Sequence, residues 1–153
     1  MKILMVCLGN ICRSPLADAL LRNKIKEQKL DWIVDSAGTS GLHSGCKPDL
    51  RTMQNAERHG IKMDFLRSRQ FIREDFDQFD MILTMDQSNF KNVIALADNE
   101  QQKAKVYPIL KYVQHPEITE VPDPYYGGDG GFQLVFELLD DATNKILQKH
   151  LPV

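Results

Sequence analysis

The stretch Lys2-Ile3-Leu4-Met5-Val6-Cys7-Leu8-Gly9-Asn10-Ile11-Cys12-Arg13-Ser14-Pro15-Leu16-Ala17 decides the fold. Residues 3–6 are a short, continuous apolar run, the pattern of a strand buried on both faces. Gly9 and Asn10 interrupt the run. Ser14 suits a helix N-cap and Pro15 the first helical position, where a missing N–H costs nothing. Leu16, Ala17, Leu20, Leu21 and Ile25 then recur at three- and four-residue intervals and make one apolar helix face. The unit is therefore a strand, a tight loop and a helix.

The alternation continues outward from this unit. Residues 32–35 predict a second strand, followed by a long loop over residues 36–48. A helix beginning near Asp49 ends at Gly60, a residue suited to the left-handed conformation beyond a helix end. Residues 81–84 predict a third strand, and Asp86 can cap a helix carrying Phe90, Val93 and Ile94. Residues 105–107 read as a weaker fourth strand. A loop rich in Pro, Asp and Gly leads into a last helix with Phe132, Val135, Phe136, Leu139, Ala142 and Ile146 as its buried stripe. Strands alternating with helices predict right-handed crossovers and a parallel sheet covered on both faces. The expectation is an α/β fold: one three-layer α/β/α domain over residues 1–153, with a four-stranded parallel sheet and a phosphate-binding loop after the first strand. In such folds ligands bind beyond the carboxyl ends of the strands, which makes the 7–14 loop the place to look for chemistry.

Composition narrows the classes of function. At 153 residues the chain matches the commonest domain size, and 42% hydrophobic with 26% charged residues is ordinary for a globular protein. Its 19 basic and 21 acidic residues leave a net charge of −2, which gives neither a basic footprint for nucleic acid nor a polybasic surface for membranes. No apolar run approaches the ~20 residues that span a bilayer. The apolar N-terminal stretch is too short for a secretory signal, so the expected location is cytoplasmic. Three cysteines make neither a disulfide framework nor a four-ligand zinc site.

The loop carries the reactive groups. Cys7 ends a strand, Arg13 follows it in the same loop, and a helix begins at once. The backbone N–H groups of Leu8, Gly9, Asn10, Ile11, Cys12 and Arg13 can turn inward around one tetrahedral anion, aided by the positive helix end. Arg13 can hold two oxygens of that anion in a bidentate contact that lysine cannot make. The same positive field favours thiolate over thiol at Cys7, and Ser14 can donate a hydrogen bond to the sulfur. Reading Cys7 as a small buried hydrophobe and Arg13 as a surface residue leaves the Gly-Asn and Ser-Pro context unexplained. Expelling an alkoxide or phenoxide from a phosphoester also needs a proton donor. Asp123, held between Pro122 and Pro124 and followed by Tyr125 and Tyr126, is the candidate, although Asp-Pro and Gly-Gly are equally ordinary turn residues.

Taken together, CLGNICRSP at residues 7–15, DSAGTSG at 35–41, the Arg-x-Arg-Gln at 67–70, MDQSN at 85–89 and DPYYGG at 123–128 resemble the low molecular weight protein-tyrosine phosphatase family. The resemblance implies that Cys7 is the nucleophile forming a phosphocysteine intermediate and that Arg13 binds the phosphoryl group. It implies that Asp123 protonates the leaving tyrosine oxygen and then activates water. Asn10 and Ser36 are then members of the hydrogen-bond network shaping the loop, with Ser14 assisting the thiolate. Leu42, His43, Tyr125 and Tyr126 become walls of the substrate slot. The implied substrates are phosphotyrosine-containing proteins or small aryl phosphates, with no metal or organic cofactor, in a monomer or weak dimer. In this family the neighbour of the nucleophile, here Cys12, can form a reversible disulfide with it, which makes the site redox-sensitive.

Departures from the family pattern are specific. Leu66 stands where relatives often carry a histidine, and Leu42 where many eukaryotic members have an aromatic residue. Cys46 reads as a free, partly exposed thiol; His59, His115 and His150 read as helix-end or surface histidines. The charged run over residues 67–73 reads as a solvated face that flanks the pocket mouth in part. Ile11, where relatives specialised for phosphoarginine tend to carry threonine, favours phosphotyrosine. An arsenate reductase of the same fold needs a cysteine relay for which only Cys12 and Cys46 are present. A catalytically dead phosphate-binding module would lack Cys7, Arg13 or Asp123, and all three are present.

Overall fold

The computed structural model describes residues 1–124 and 128–151. The elements run β1 (Lys2–Cys7), α1 (Arg13–Glu27), β2 (Ile33–Gly38), α2 (Leu50–Arg58), α3 (Asp75–Gln78), β3 (Met81–Thr84), α4 (Gln87–Ala95), α5 (Glu100–Lys103), β4 (Val106–Pro108) and α6 (Gly128–His150). All pairings are parallel and the strand order is β2-β1-β3-β4. Ile3, Leu4, Met5 and Val6 are wholly buried, each stabilising the fold by roughly 1.5–3 kcal/mol relative to exposure. The pleat divides them. Ile3, Met5 and Cys7 pack into one apolar cluster with Leu20 of α1 and Leu139 of α6, while Leu4 and Val6 join Phe76 of α3 and Val93 of α4 on the other face. Helices therefore cover both faces of the four-stranded sheet, as the alternating pattern predicts.

The topology fixes where a ligand can sit. The chain passes from β1 to β2 on one side and returns across β1 to β3, so strand order reverses beside the carboxyl end of β1. Cys7 is the last residue of that strand.

Several expectations are corrected. Helix α1 begins at Arg13 with Cys12 in the N-cap position, so Ser14 is not the cap and Pro15 stands third in the helix. Ser14 is unavailable for capping because Asn10, Cys7 and Ala37 occupy its hydroxyl. Pro15 remains harmless there, since N–H groups of the first turn have no helical partner. Strand β2 continues through Ser36, Ala37 and Gly38, pairing with Met5, Val6 and Cys7, where the sequence suggests a loop. Strand β4 ends on Pro108, tolerated on an edge strand that needs no further N–H donor. The four-residue helices α3 and α5 are too short to show a period. By contrast, α2 begins beside Asp49, Gly60 beyond its end has φ +79°, and Asp86 caps α4, all as expected; the structure adds that Asp49 is the α2 cap and that Asp86 forms a capping box with Asn89.

Candidate active site

The loop between β1 and α1 is held from outside by its carbonyl groups. The Cys7 and Leu8 carbonyls accept from Thr39 N and Ser40 N at 2.9 Å each. The Gly9 carbonyl accepts from the Ser68 hydroxyl at 3.1 Å, and the Ile11 carbonyl from Asp49 N at 2.8 Å. In a planar trans peptide the N–H of the next residue points opposite to the carbonyl. Anchoring the carbonyls outward thus turns the following N–H groups toward the inside of the loop, and the Asn10 N–H lies 3.3 Å from Cys7 Sγ. The result is an anion cradle with sulfur at its base.

Asn10 makes that conformation possible. Its φ of +57° is in the left-handed region, which asparagine tolerates better than most residues. Its side chain bonds at both ends: Nδ2 donates to Ser14 Oγ at 2.8 Å, and Oδ1 accepts from Arg69 N at 3.0 Å. Ser14 Oγ lies 3.0 Å from Cys7 Sγ and 3.3 Å from the Ala37 carbonyl. Because Asn10 donates to this hydroxyl, the single Ser14 proton is left for the sulfur or for Ala37. Gly38 completes the support, since a Cβ there would stand 2.7 Å from the Leu8 carbonyl oxygen.

Arg13 is 2% exposed and points its guanidinium at carboxylates. Nη1 donates to Asp86 Oδ2 at 2.6 Å and to the Val121 carbonyl at 3.1 Å, and Nη2 lies 3.7 Å from Asp123 Oδ2. Burial by itself would lower the arginine pKa, but Cys7, Asp86 and Asp123 outweigh it and hold the pKa above its ordinary value. Arg13 is a fixed cation. Cys12 is the reverse case. Burial, ahead of the charges of Asp49, Cys7 and Asp123 and against a hydrogen bond from Thr52, pushes its thiol up to about 12. Next to the cradle, Cys12 is therefore a neutral thiol at pH 7.

These groups converge on a cavity of about 310 Å³ lined by Cys7, Arg13 and Asp123 together with Ile11, Cys12, Leu8, Leu42 and His43. Leu8 and Leu42 are 45% and 83% exposed, so they give the rim two apolar side chains beside Ser40 and His43. Tyr125 and Tyr126, the other expected slot walls, lie outside the described residues. Ser36 is buried on β2, next to Ala37, whose carbonyl lies 3.3 Å from the Ser14 hydroxyl. No residue of the 67–73 run lines the cavity, although Gln70 donates to the Thr39 carbonyl beside its lip at 3.3 Å. Ser68 is buried under Gly9, and Arg69 binds Asp35 and Asp75. Arg67 donates to the Asp64 and Leu66 carbonyls, and Arg73 lies near Asp98. Leu66 belongs to the core.

Sequence reasoning missed two contributors. Asp86 reads as a helix cap, and it also anchors Arg13; a buried arginine demands such a carboxylate, but nothing local to Arg13 says which one. Ser68 lies within a charged run that hides its hydroxyl's role.

A parallel α/β sheet whose first strand delivers a cysteine into an anion cradle, with a buried arginine and a nearby carboxylate, is an arrangement suited to holding an oxyanion beside a nucleophile. Family comparison agrees. The model of the low molecular weight phosphotyrosine protein phosphatases matches residues 2–151. A putative low molecular weight protein-tyrosine-phosphatase of Synechocystis sp. is 44% identical over 149 residues, covering 96% of this chain and 94% of that protein. The crystal structure of a protein tyrosine phosphatase from Entamoeba histolytica superposes with a TM-score of 0.92 at 40% identity, covering 97% of this chain and 96% of that one. A Drosophila arginine phosphatase superposes with a TM-score of 0.92 at 33% identity, covering 99% of both chains. The chain belongs to the low molecular weight phosphotyrosine protein phosphatase family, a family of enzymes.

Proposed function

We propose that the chain hydrolyses phosphotyrosine and small aryl phosphates through a phosphocysteine intermediate. The observation that carries this reading is the convergence of Cys7, Arg13 and Asp123 on one cavity, with the loop N–H groups turned inward. The phosphoryl oxygens sit in the cradle against Arg13, whose position Asp86 fixes. The Cys7 thiolate attacks phosphorus along the line opposite the ester oxygen. As the S–P bond forms and the P–O bond breaks, Asp123 gives its proton to the departing phenolate. Water then attacks phosphorus, Asp123 takes its proton, and the sulfur leaves as thiolate with the Ser14 hydroxyl donating to it. Arg13 and the loop N–H groups supply the positive charge that stabilises both transition states. Cys12 serves as resolving thiol: peroxide oxidises Cys7 to a sulfenic acid, which condenses with Cys12 to a disulfide and releases water.

A second reading, phosphoarginine hydrolysis, is favoured by the likeness to the Drosophila arginine phosphatase and opposed by the branched apolar Ile11 lining the cavity. Both readings meet one assay. Phosphotyrosine peptide and phosphoarginine are offered to the native chain and to Cys7→Ser in EDTA and reducing agent. The expected outcome is turnover of phosphotyrosine that vanishes in Cys7→Ser. Preferred turnover of phosphoarginine would transfer the function to the second reading, and activity surviving in Cys7→Ser would end both.

A further inference from the structure

A second cavity, of about 330 Å³, lies between α1 and the turn that follows α2. Ala19, Arg22, Asn23 and Lys26 line it from the helix, and Gly60, Ile61, Lys62 and Phe65 from the turn. It shares no residue with the Cys7 cavity. At 1.5 Å per residue, Lys26 stands roughly 20 Å along α1 from Arg13.

Its electrostatics are one-sided. The titratable residues lining it are Arg22, Lys26 and Lys62, all cations, in a chain whose net charge is −2. Lys26 and Lys62 are exposed, and neither side-chain ammonium makes a hydrogen bond or ion pair among the described residues. Arg22 is prepared differently. Its Nε and Nη2 donate to Asp18 Oδ1 at 3.1 and 2.9 Å, and Nη2 also donates to the Val34 carbonyl at 3.0 Å. These bonds hold the guanidinium 5.3 Å from the centre of the Phe65 ring. An arginine fixed in this way loses little side-chain entropy on meeting an anion. Phe65 itself is 55% exposed, beside buried Ile61.

A solvated basic face needs neither a cavity, nor a pinned arginine, nor a half-exposed aromatic ring beside it. We propose that this cavity is a second binding site for a small organic anion, with its oxyanion group among Arg22, Lys26 and Lys62 and its apolar part against Phe65. The cavity size suits one compact ligand. The turn that walls it runs on to Ser68 and Arg69, which hold the Gly9 carbonyl and the Asn10 side chain, so the site sits on the same segment that braces the cradle.

The test uses benzenesulfonate and sulfate, whose charges do not titrate near neutrality, followed by amide chemical shifts in the native chain. The expected result is saturable shifts at Gly60, Lys62 and Phe65 with benzenesulfonate, separate from any shifts at residues 7–13. Lys26→Gln/Lys62→Gln should weaken binding at the turn by roughly tenfold, and leave shifts at residues 7–13 unchanged. Phe65→Ala should remove the preference for benzenesulfonate over sulfate. Absence of saturable shifts at the turn in the native chain, or equal affinity in the double lysine variant, would overturn the proposal. The readout does not depend on turnover, so its failure is distinct from failure of the phosphatase reading.

Discussion

Arg13 shows how a single residue is made to serve a site. Taking a guanidinium out of water is costly unless a carboxylate meets it with good geometry, and Asp86 does so at 2.6 Å. Breaking such a pair from one side leaves a buried charge uncompensated, at a cost of about 3–5 kcal/mol. Asp86 keeps a 19% exposed side chain, which moves the expectation to the lower end. Asp86→Ala should therefore lower the thermal midpoint and also reduce kcat/KM on the order of 10²-fold, because a loosened Arg13 no longer holds the phosphoryl group in line. Thermal unfolding and steady-state kinetics on the same preparation check both. Loss of stability with unchanged kcat/KM would mean that Arg13 does not need Asp86 to bind substrate.

Between elements, the cradle depends on a close approach of β2 to the β1–α1 loop. A Cβ on Gly38 would meet the Leu8 carbonyl oxygen at 2.7 Å and Asn10 N at 3.1 Å, both backbone atoms that cannot swing aside. Gly38→Ala should push the loop away from β2 and cut activity far more than it lowers the urea midpoint, since the sheet pairing below it is intact. An unchanged kcat/KM would show that the loop has slack. The same junction marks where legibility ended. Strands β1 and β3 are plain as apolar runs, and the Asp86 cap and the helix end at Gly60 are plain from local chemistry. The end of β2 is not: Ser36, Ala37 and Gly38 are small residues selected by what lies against them, so they read as loop. The pairing of Cys7 with Arg13 is legible because the loop is contiguous, whereas the parts of Asn10 and Asp123 come from the resemblance of their motifs to the family pattern. Asp86 and Ser68 were hidden because their contacts bridge 73 and 59 residues of sequence.

For the whole molecule, the most informative group is Asp18. It is fully buried, and burial raises its pKa to about 6 from an ordinary 3.8 despite the opposing Arg22. A carboxyl whose pKa is raised on folding contributes stability below the unfolded value and loses it as pH rises through the folded value. The native chain should therefore lose up to about 3 kcal/mol from this group between about pH 4 and 7. Asp18→Asn forfeits the Arg22 ion pair but cannot ionise, so its stability relative to the native chain should improve over that range. Urea midpoints at pH 4.5 and 7.5 for both chains give the comparison, and a difference independent of pH would contradict the raised value.

The central claim is that Cys7 carries the phosphoryl group between two steps, and it is tested most directly by trapping that state. Asp123→Asn should still attack 4-nitrophenyl phosphate, because nitrophenolate leaves without a proton, yet the variant lacks the base for the water step. Rapid acid quenching followed by mass spectrometry should then find the phosphoryl adduct on the peptide containing Cys7, formed as fast as nitrophenolate is released. Nitrophenolate release with no adduct on that peptide, or with an adduct on another residue, would contradict the account.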